Sequence, residues 1–274
     1  MAKRTARWWV WAVVLALAAG TSEAQTVDGV AVDADAELVV AVPDDTNNMD
    51  PRIGMGSTRS NYIRQVFESL VDVDAQGKPV PGLALSWKPV NDLTWEFTLR
   101  RGVTFHNGEA FNADTVLFNL DRMFRKNLDK WGVKDVTAGT SFEKVYPAVT
   151  RWEKVGDYTV RIYSSEPVPN LWDVVGREPL VPREYAIKNG VEALNERPVG
   201  TGPWKMVAWK RNDSMRFERY EGYWGPPPLF KRLRFQVIPE AGGRLAALRA
   251  GQVGLVDAVP RSTRASSAAS RASR

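Results

Sequence analysis

The stretch Trp95–Gly108, WEFTLRRGVTFHNG, decides how the rest of the chain is read. Residues 95–100 alternate apolar and polar side chains, the period-2 pattern of a strand with one buried face. His106-Asn107-Gly108-Glu109 then reads as a turn. Just beyond it, Asn112 is placed to cap a helix whose buried stripe is Val116, Leu117, Leu120, Met123 and Phe124. A half-buried strand, a turn and a capped amphipathic helix in immediate succession predict a mixed fold in which helices pack on sheets.

Working outward, the same two periods recur. Glu37–Val42 (ELVVAV) is a short apolar strand, and Asp50-Pro51 with Gly54 and Gly56 marks a loop. Ser57, Thr58 and Ser60 offer caps for a helix carrying Ile63, Val66, Phe67 and Leu70 on one face. Trp152–Val155 and Tyr158–Tyr163 form a hairpin about Gly156-Asp157. Met206–Trp209 and Met215–Tyr220 pair around the polar turn 210–214, Leu233–Ile238 is a further strand, and Ala241–Ala250 is a helix stopped by Gly251. The class is α+β or α/β with long loops.

The 274 residues hold 37 Lys+Arg against 32 Asp+Glu, one His and no Cys. The net charge of +5 belongs to the ends. Lys3, Arg4 and Arg7 against Glu23 give residues 1–24 a charge of +2, and Arg261, Arg264, Arg271 and Arg274 give residues 261–274 a charge of +4. Residues 25–260 therefore carry −1, which removes the case for a nucleic-acid or anionic-lipid partner. Without Cys there is no disulfide framework, thiol nucleophile or cysteine-based metal site, and a single imidazole makes no metal cluster.

At the N-terminus a basic segment precedes the apolar run Trp8–Ala19, and Ser22-Glu23-Ala24 meets the small-residue requirement for cleavage, so residues 1–24 read as a signal peptide. The run is shorter than the roughly 20 residues a bilayer span needs, which disfavours a retained anchor. At the other end, RSTRASSAASRASR (261–274) has no large apolar residue and cannot build a core. It reads as a disordered tail, the product of a frame shift after residue 260, with a natural basic tail as the alternative.

Nucleotide-binding glycine loops, G-x-S-x-G and H-E-x-x-H are all absent. His106, without partners, is a turn residue. A carboxylate pair leaves no sequence signature, so a secreted carbohydrate-active enzyme stands as the alternative function. Trp204, in Gly202-Pro203-Trp204, and Trp224, in Tyr223-Trp224-Gly225, are either core residues or aromatic walls of a cleft.

From about residue 37 to 260 the chain resembles the extracytoplasmic solute-binding proteins of peptide-type ABC importers, the dipeptide/oligopeptide-binding family 5. The ordered matches are Met49-Asp50-Pro51, Val66-Phe67-Glu68-Ser69-Leu70, Pro81-Gly82-Leu83-Ala84, the whole 95–108 stretch, Asn112-Ala113-Asp114, Val199-Gly200-Thr201-Gly202-Pro203-Trp204, Tyr223-Trp224-Gly225 and Ala247-Leu248-Arg249-Ala250-Gly251. The resemblance implies a periplasmic-binding-protein type II fold, here an incomplete first lobe (25–260) with the second lobe missing, since family members are about twice as long. It implies a periplasmic, monomeric binder, not an enzyme and without cofactor, that closes about a hinge and hands its solute to an inner-membrane ABC permease. It places ligand contacts at Met55, Gly56, Ser57 and Thr58, where an extended peptide would pair its backbone with the loop. It does not identify the solute. The chain as it stands is expected to be poorly soluble, with apolar surface exposed, and to bind no ligand tightly.

Overall fold

The computed structural model describes residues 25–27, 30–52, 57–133 and 142–258. The segments expected to be the signal peptide and the basic tail lie outside them. Strands β1 (Gln25–Val27) and β2 (Val30–Val32) pair antiparallel as a small unit of their own.

The larger unit begins at Ala34. It runs through β3 (Glu37–Val42), α1 (Ser57–Val66), β4 (Val71–Val73), β5 (Pro79–Pro81), β6 (Ala84–Asn91) and β7 (Thr94–Leu99). Next come α2 (Ala113–Phe124), the short helices α3 (Leu128–Trp131) and α4 (Phe142–Val145), β8 (Val149–Gly156) and β9 (Thr159–Ser164). The last part holds α5 (Leu171–Gly176), α6 (Arg183–Asn189), β10 (Trp204–Lys210), β11 (Ser214–Arg219), β12 (Arg232–Val237), α7 (Ala241–Arg249) and β13 (Leu255–Val256).

Two sheets organise this unit. One is antiparallel with order β6-β7-β9-β8; the other is mixed with order β10-β11-β12-β3-β13, in which β12 and β13 both run parallel to β3. Helix α2 serves both hydrophobic cores. Its Val116, Leu120, Met123 and Phe124 pack with Phe97, Leu99, Val160 and Ile162 of the first sheet, while Phe118 packs with the second core around Tyr62, Phe217 and Phe235. Burial on more than one side explains why the expected stripe was too narrow: Phe118 and Ala113 are fully buried, whereas Leu117 is half-buried. Asn112 caps the helix as expected, its side chain accepting from the Thr115 N–H at 3.2 Å.

The apolar strand read at Glu37–Val42 has a partner on each face. Leu38, Val40 and Val42 turn towards α1, and Val39 and Ala41 turn towards α7 through Ala247. Helix α1 ends at Val66, so Leu70 does not share its face with Ile63, Val66 and Phe67; it is buried in the other core. The helix stops there, where backbone from elsewhere caps it: Gly202 N–H donates to Val66 O at 2.9 Å.

The hairpin of β8 and β9 turns through Asp157-Tyr158, one residue later than the sequence indicates. Both turn carbonyls are in use, Asp157 O accepting from Ala113 N–H and Tyr158 O from Leu99 N–H. Strand β6 escaped the pattern reading because most of its residues face solvent on an edge. Edges are blunted: β6, β8 and β10 each carry bulges, β6 also has Lys88 and Pro89, and the outer face bears a ladder of alternating charge, Lys88, Glu96, Arg161 and Glu153. Edge strand β13 has no such device, and its Leu255 is 53% exposed beside an apolar groove lined by Leu38, Val40 and Phe235.

Candidate functional site

Helices that follow neighbouring parallel strands leave on opposite faces here. The connection after β3 leads to α1, against Leu38, Val40 and Val42, and that after β12 leads to α7, against Val39 and Ala41. Such a divergence opens a crevice at the carboxyl ends of the strands, the place where open α/β sheets bind ligands. Residues 43–52, which follow β3, leave from that edge.

This segment is tied down at many points. Trp209 Nε1 donates to the Asp45 carboxylate at 3.0 and 3.1 Å, Asn212 N–H donates to the same group at 2.8 Å, and Arg211 reaches the Thr46 and Asn47 carbonyls. The turn between β10 and β11 thus holds the loop after β3. Tyr62 Oη donates to Asp44 O at 2.6 Å, and burial pushes its hydroxyl up, reinforced by Asp45, Asp44 and Asp257. Asp50 lies inside: its carboxylate accepts from Arg122 of α2 at 2.7 Å and from Arg52 N–H at 3.0 Å, with side-chain exposures of 1% and 4% for Asp50 and Arg122. Arg59 of α1 donates to Asn48 Oδ1 and to Asp50 O, and burial lowers its guanidinium against the pull of Asp50.

Of the expected ligand contacts, Met55 and Gly56 lie outside the described residues. Ser57 and Thr58 open α1 as backbone, and nothing is described of their side chains. What the structure adds is the scaffold on both sides of them: Asp50 and Asn48 before, Arg59 and Asn61 after. Sequence spacing gave no signal for the Asp50–Arg122 pair, whose members are 72 residues apart.

The two tryptophans part company. Trp204 is a core residue at 6% exposure. Trp224 lines a cleft of about 570 Å³ with Tyr223, Glu68, Arg59 and Glu178, along the outer side of α1. Glu68 accepts from Trp224 Nε1 (2.7 Å), Thr201 Oγ1 (2.8 Å) and Tyr223 Oη (2.9 Å); burial pushes its carboxyl up, and these hydrogen bonds oppose the rise. Arg100 stacks over Trp224 at 3.9 Å.

His106 sits in the expected turn, but its ring has a task. Nε2–H donates to Gly202 O at 2.8 Å, Nδ1 faces Gly200 N–H at 3.5 Å, and the ring meets Tyr220 edge-on. Burial drives its pKa down to about 4, outweighing the Gly202 hydrogen bond, which raises it. The folded chain therefore refuses a proton that the unfolded chain accepts near pH 6.5. Stability from this group is complete above that value and is lost as pH falls towards about 4. Glu68 works in the opposite sense, so the comparison needed is with His106→Gln: its unfolding free energy should fall less over this window, by roughly 2–3 kcal/mol at most. Parallel pH profiles for the two proteins would sink the assignment.

Among the described residues no group of three or more His, Cys, Asp or Glu side chains could hold a metal ion, and no helix is long and apolar enough to cross a membrane.

Residues 78–272 match the family model described as bacterial extracellular solute-binding proteins, family 5 Middle. Heme-binding protein A of Haemophilus influenzae is 32% identical over 73% of this chain and 40% of its own length, and the dipeptide-binding protein of Escherichia coli is 32% identical over 62% of this chain and 34% of its own. The solved structure of HbpA2 from Haemophilus parasuis superposes with a TM-score of 0.74 at 29% identity, covering 84% of this chain and 49% of that one. The periplasmic binding protein DppA from Helicobacter pylori, in complex with the peptide STSA, gives 0.71 at 25% identity, covering 80% and 46%. The chain thus spans less than half the length of the relatives it matches, and its larger unit has the architecture of one lobe of a type II periplasmic binding protein.

Proposed function

The chain belongs to the bacterial extracellular solute-binding proteins of family 5, and we propose that it supplies one wall of a site that captures a peptide or related small solute for an ABC importer. The observation that supports this reading is that the connections after β3 and β12 diverge to opposite faces of the sheet, with residues 43–52 leaving from its carboxyl edge. Met55, Gly56, Ser57 and Thr58 are the proposed contacts, acting chiefly through backbone groups. Residues 1–24 direct export to the periplasm, the binder is a monomer that turns nothing over, and the partner that receives the solute is the membrane permease.

A single wall offers only part of the contacts a closed site provides, so affinity is low. Titrating a mixture of dipeptides and tetrapeptides at millimolar concentration into the isotopically labelled chain should shift the backbone amide signals of Ser57, Thr58 and Asn61 without saturating. Shifts confined to the Tyr223-Trp224 cleft would relocate the site and overturn the reading. A large rise in melting temperature at micromolar peptide would show a complete site and overturn the single-wall assignment.

A further inference from the structure

Arg244, on α7, is 3% exposed, and among the described residues its guanidinium donates to main-chain carbonyls alone. Two follow β12, Ile238 O at 2.8 Å and Pro239 O at 2.6 Å. Two follow β13, Asp257 O at 3.1 Å and Ala258 O at 2.9 Å. β12 and β13 do not pair with each other; β3 lies between them. Their ends are also fastened to that middle strand, Ile238 N–H donating to Val42 O and Asp257 N–H to Ala41 O, both at 2.8 Å. The Asp257 carboxylate then accepts from Ala258 N–H at 2.7 Å and from Asn61 Nδ2 of α1 at 2.9 Å.

We infer that Arg244 is the positioning residue of the sheet's carboxyl edge: one planar cation joins the segments that follow β12 and β13 across the end of β3. Carbonyls at the ends of parallel strands have no further strand to accept from, and left bare inside the protein each costs about 1–3 kcal/mol. A guanidinium satisfies four of them because its donors form a rigid fork, whereas an ammonium on a flexible stem has three donors and no plane. Asn61 extends the device to α1. The helix that carries Ser57 and Thr58 and the point where the chain leaves β13 share the Asp257 carboxylate, so a displacement of one is felt at the other. The significance of this edge for solute capture rests on the proposed function; the anchoring itself does not, and it is tested without ligand.

Site-resolved amide hydrogen exchange on the whole chain separates the two. In Arg244→Lys, the amides of Ile238 and Asp257 should exchange about tenfold faster together, while those of Val160 and Ile162 in the other sheet keep their rates. Asn61→Asp, which sets a second carboxylate against Asp257, should accelerate Ala258 and leave Ile238 unchanged. Unchanged rates at Ile238 and Asp257 in Arg244→Lys would overturn the inference, as would an even acceleration across both sheets, the mark of a general loss of stability. A failed peptide titration with the exchange pattern intact would count against the binding reading alone.

Discussion

Replacing Gly200 by alanine should cost at least about 3 kcal/mol or abolish cooperative folding, although the change adds a single methyl group. An ideal Cβ at this position lies 1.9 Å from Val66 O, 2.6 Å from Val66 C and 3.0 Å from Phe67 Cα. All three are backbone atoms at the end of α1, so no side chain can swing aside. Gly202 is nearly as tight, with Gln65 O at 2.7 Å from its ideal Cβ. These glycines let one backbone lie against another, and the contact is sealed by the Gly202 N–H on Val66 O and by the His106 ring on Gly202 O. The seam joins the loop ahead of α2 to the strand that begins at Trp204, which is why its disruption should be felt in both cores. Urea unfolding with two control glycines makes the test specific. Gly156 has nothing within 4 Å of its ideal Cβ, so Gly156→Ala should change stability by no more than about 0.5 kcal/mol. Gly242 is equally open and lies in α7, where alanine should add about 0.5–1 kcal/mol. Similar losses at Gly200 and Gly156 would refute the steric account.

Asp50→Ala should be comparably severe, about 3–5 kcal/mol, because it leaves the Arg122 charge in the interior without its carboxylate. Coulomb attraction in the intact pair offsets the desolvation of both ions, and removing one partner leaves the other's penalty standing. The double variant Asp50→Ala/Arg122→Met should be more stable than Asp50→Ala alone, since the buried charge goes with its partner. A double variant that is less stable than either single one would show that the pair matters through packing and not through charge. The expected loss reaches the candidate site as well: the Asp50 carboxylate accepts from Arg52 N–H at 3.0 Å, so its removal releases the described backbone that leads towards the proposed ligand contacts.

Much of the fold was legible because local and tertiary demands coincide. Glu37–Val42 was read with its observed bounds, and Asn112 was recognised as a cap, because a short apolar run and a cap are both decided within a few residues. Where the reading slipped, a distant partner intervened. Val66 ends α1 where Gly202 reaches its carbonyl, the β8–β9 turn moves one residue because Ala113 and Leu99 claim its carbonyls, and α2 hides Phe118 because a second sheet lies behind it. His106 was read as a bare turn residue, since nothing nearby in sequence announces the carbonyl of Gly202.

The function divides in the same way. Ordered short motifs named the family, and the glycine pair of Val199–Trp204 was among them, but only the packing shows why: a side chain there would occupy the space of Val66. Composition by itself located the +5 charge in the two ends and left the body between them at −1. The sequence alone therefore determined the element types, the alternating faces and the family, all of which depend on neighbours along the chain. The tertiary structure alone decided the divergence of the connections at the carboxyl edge, the buried Asp50–Arg122 pair and the Arg244 clamp. Each of these joins groups far apart in sequence, and the energy of a buried ion or an unmet carbonyl is set by what folding brings beside it.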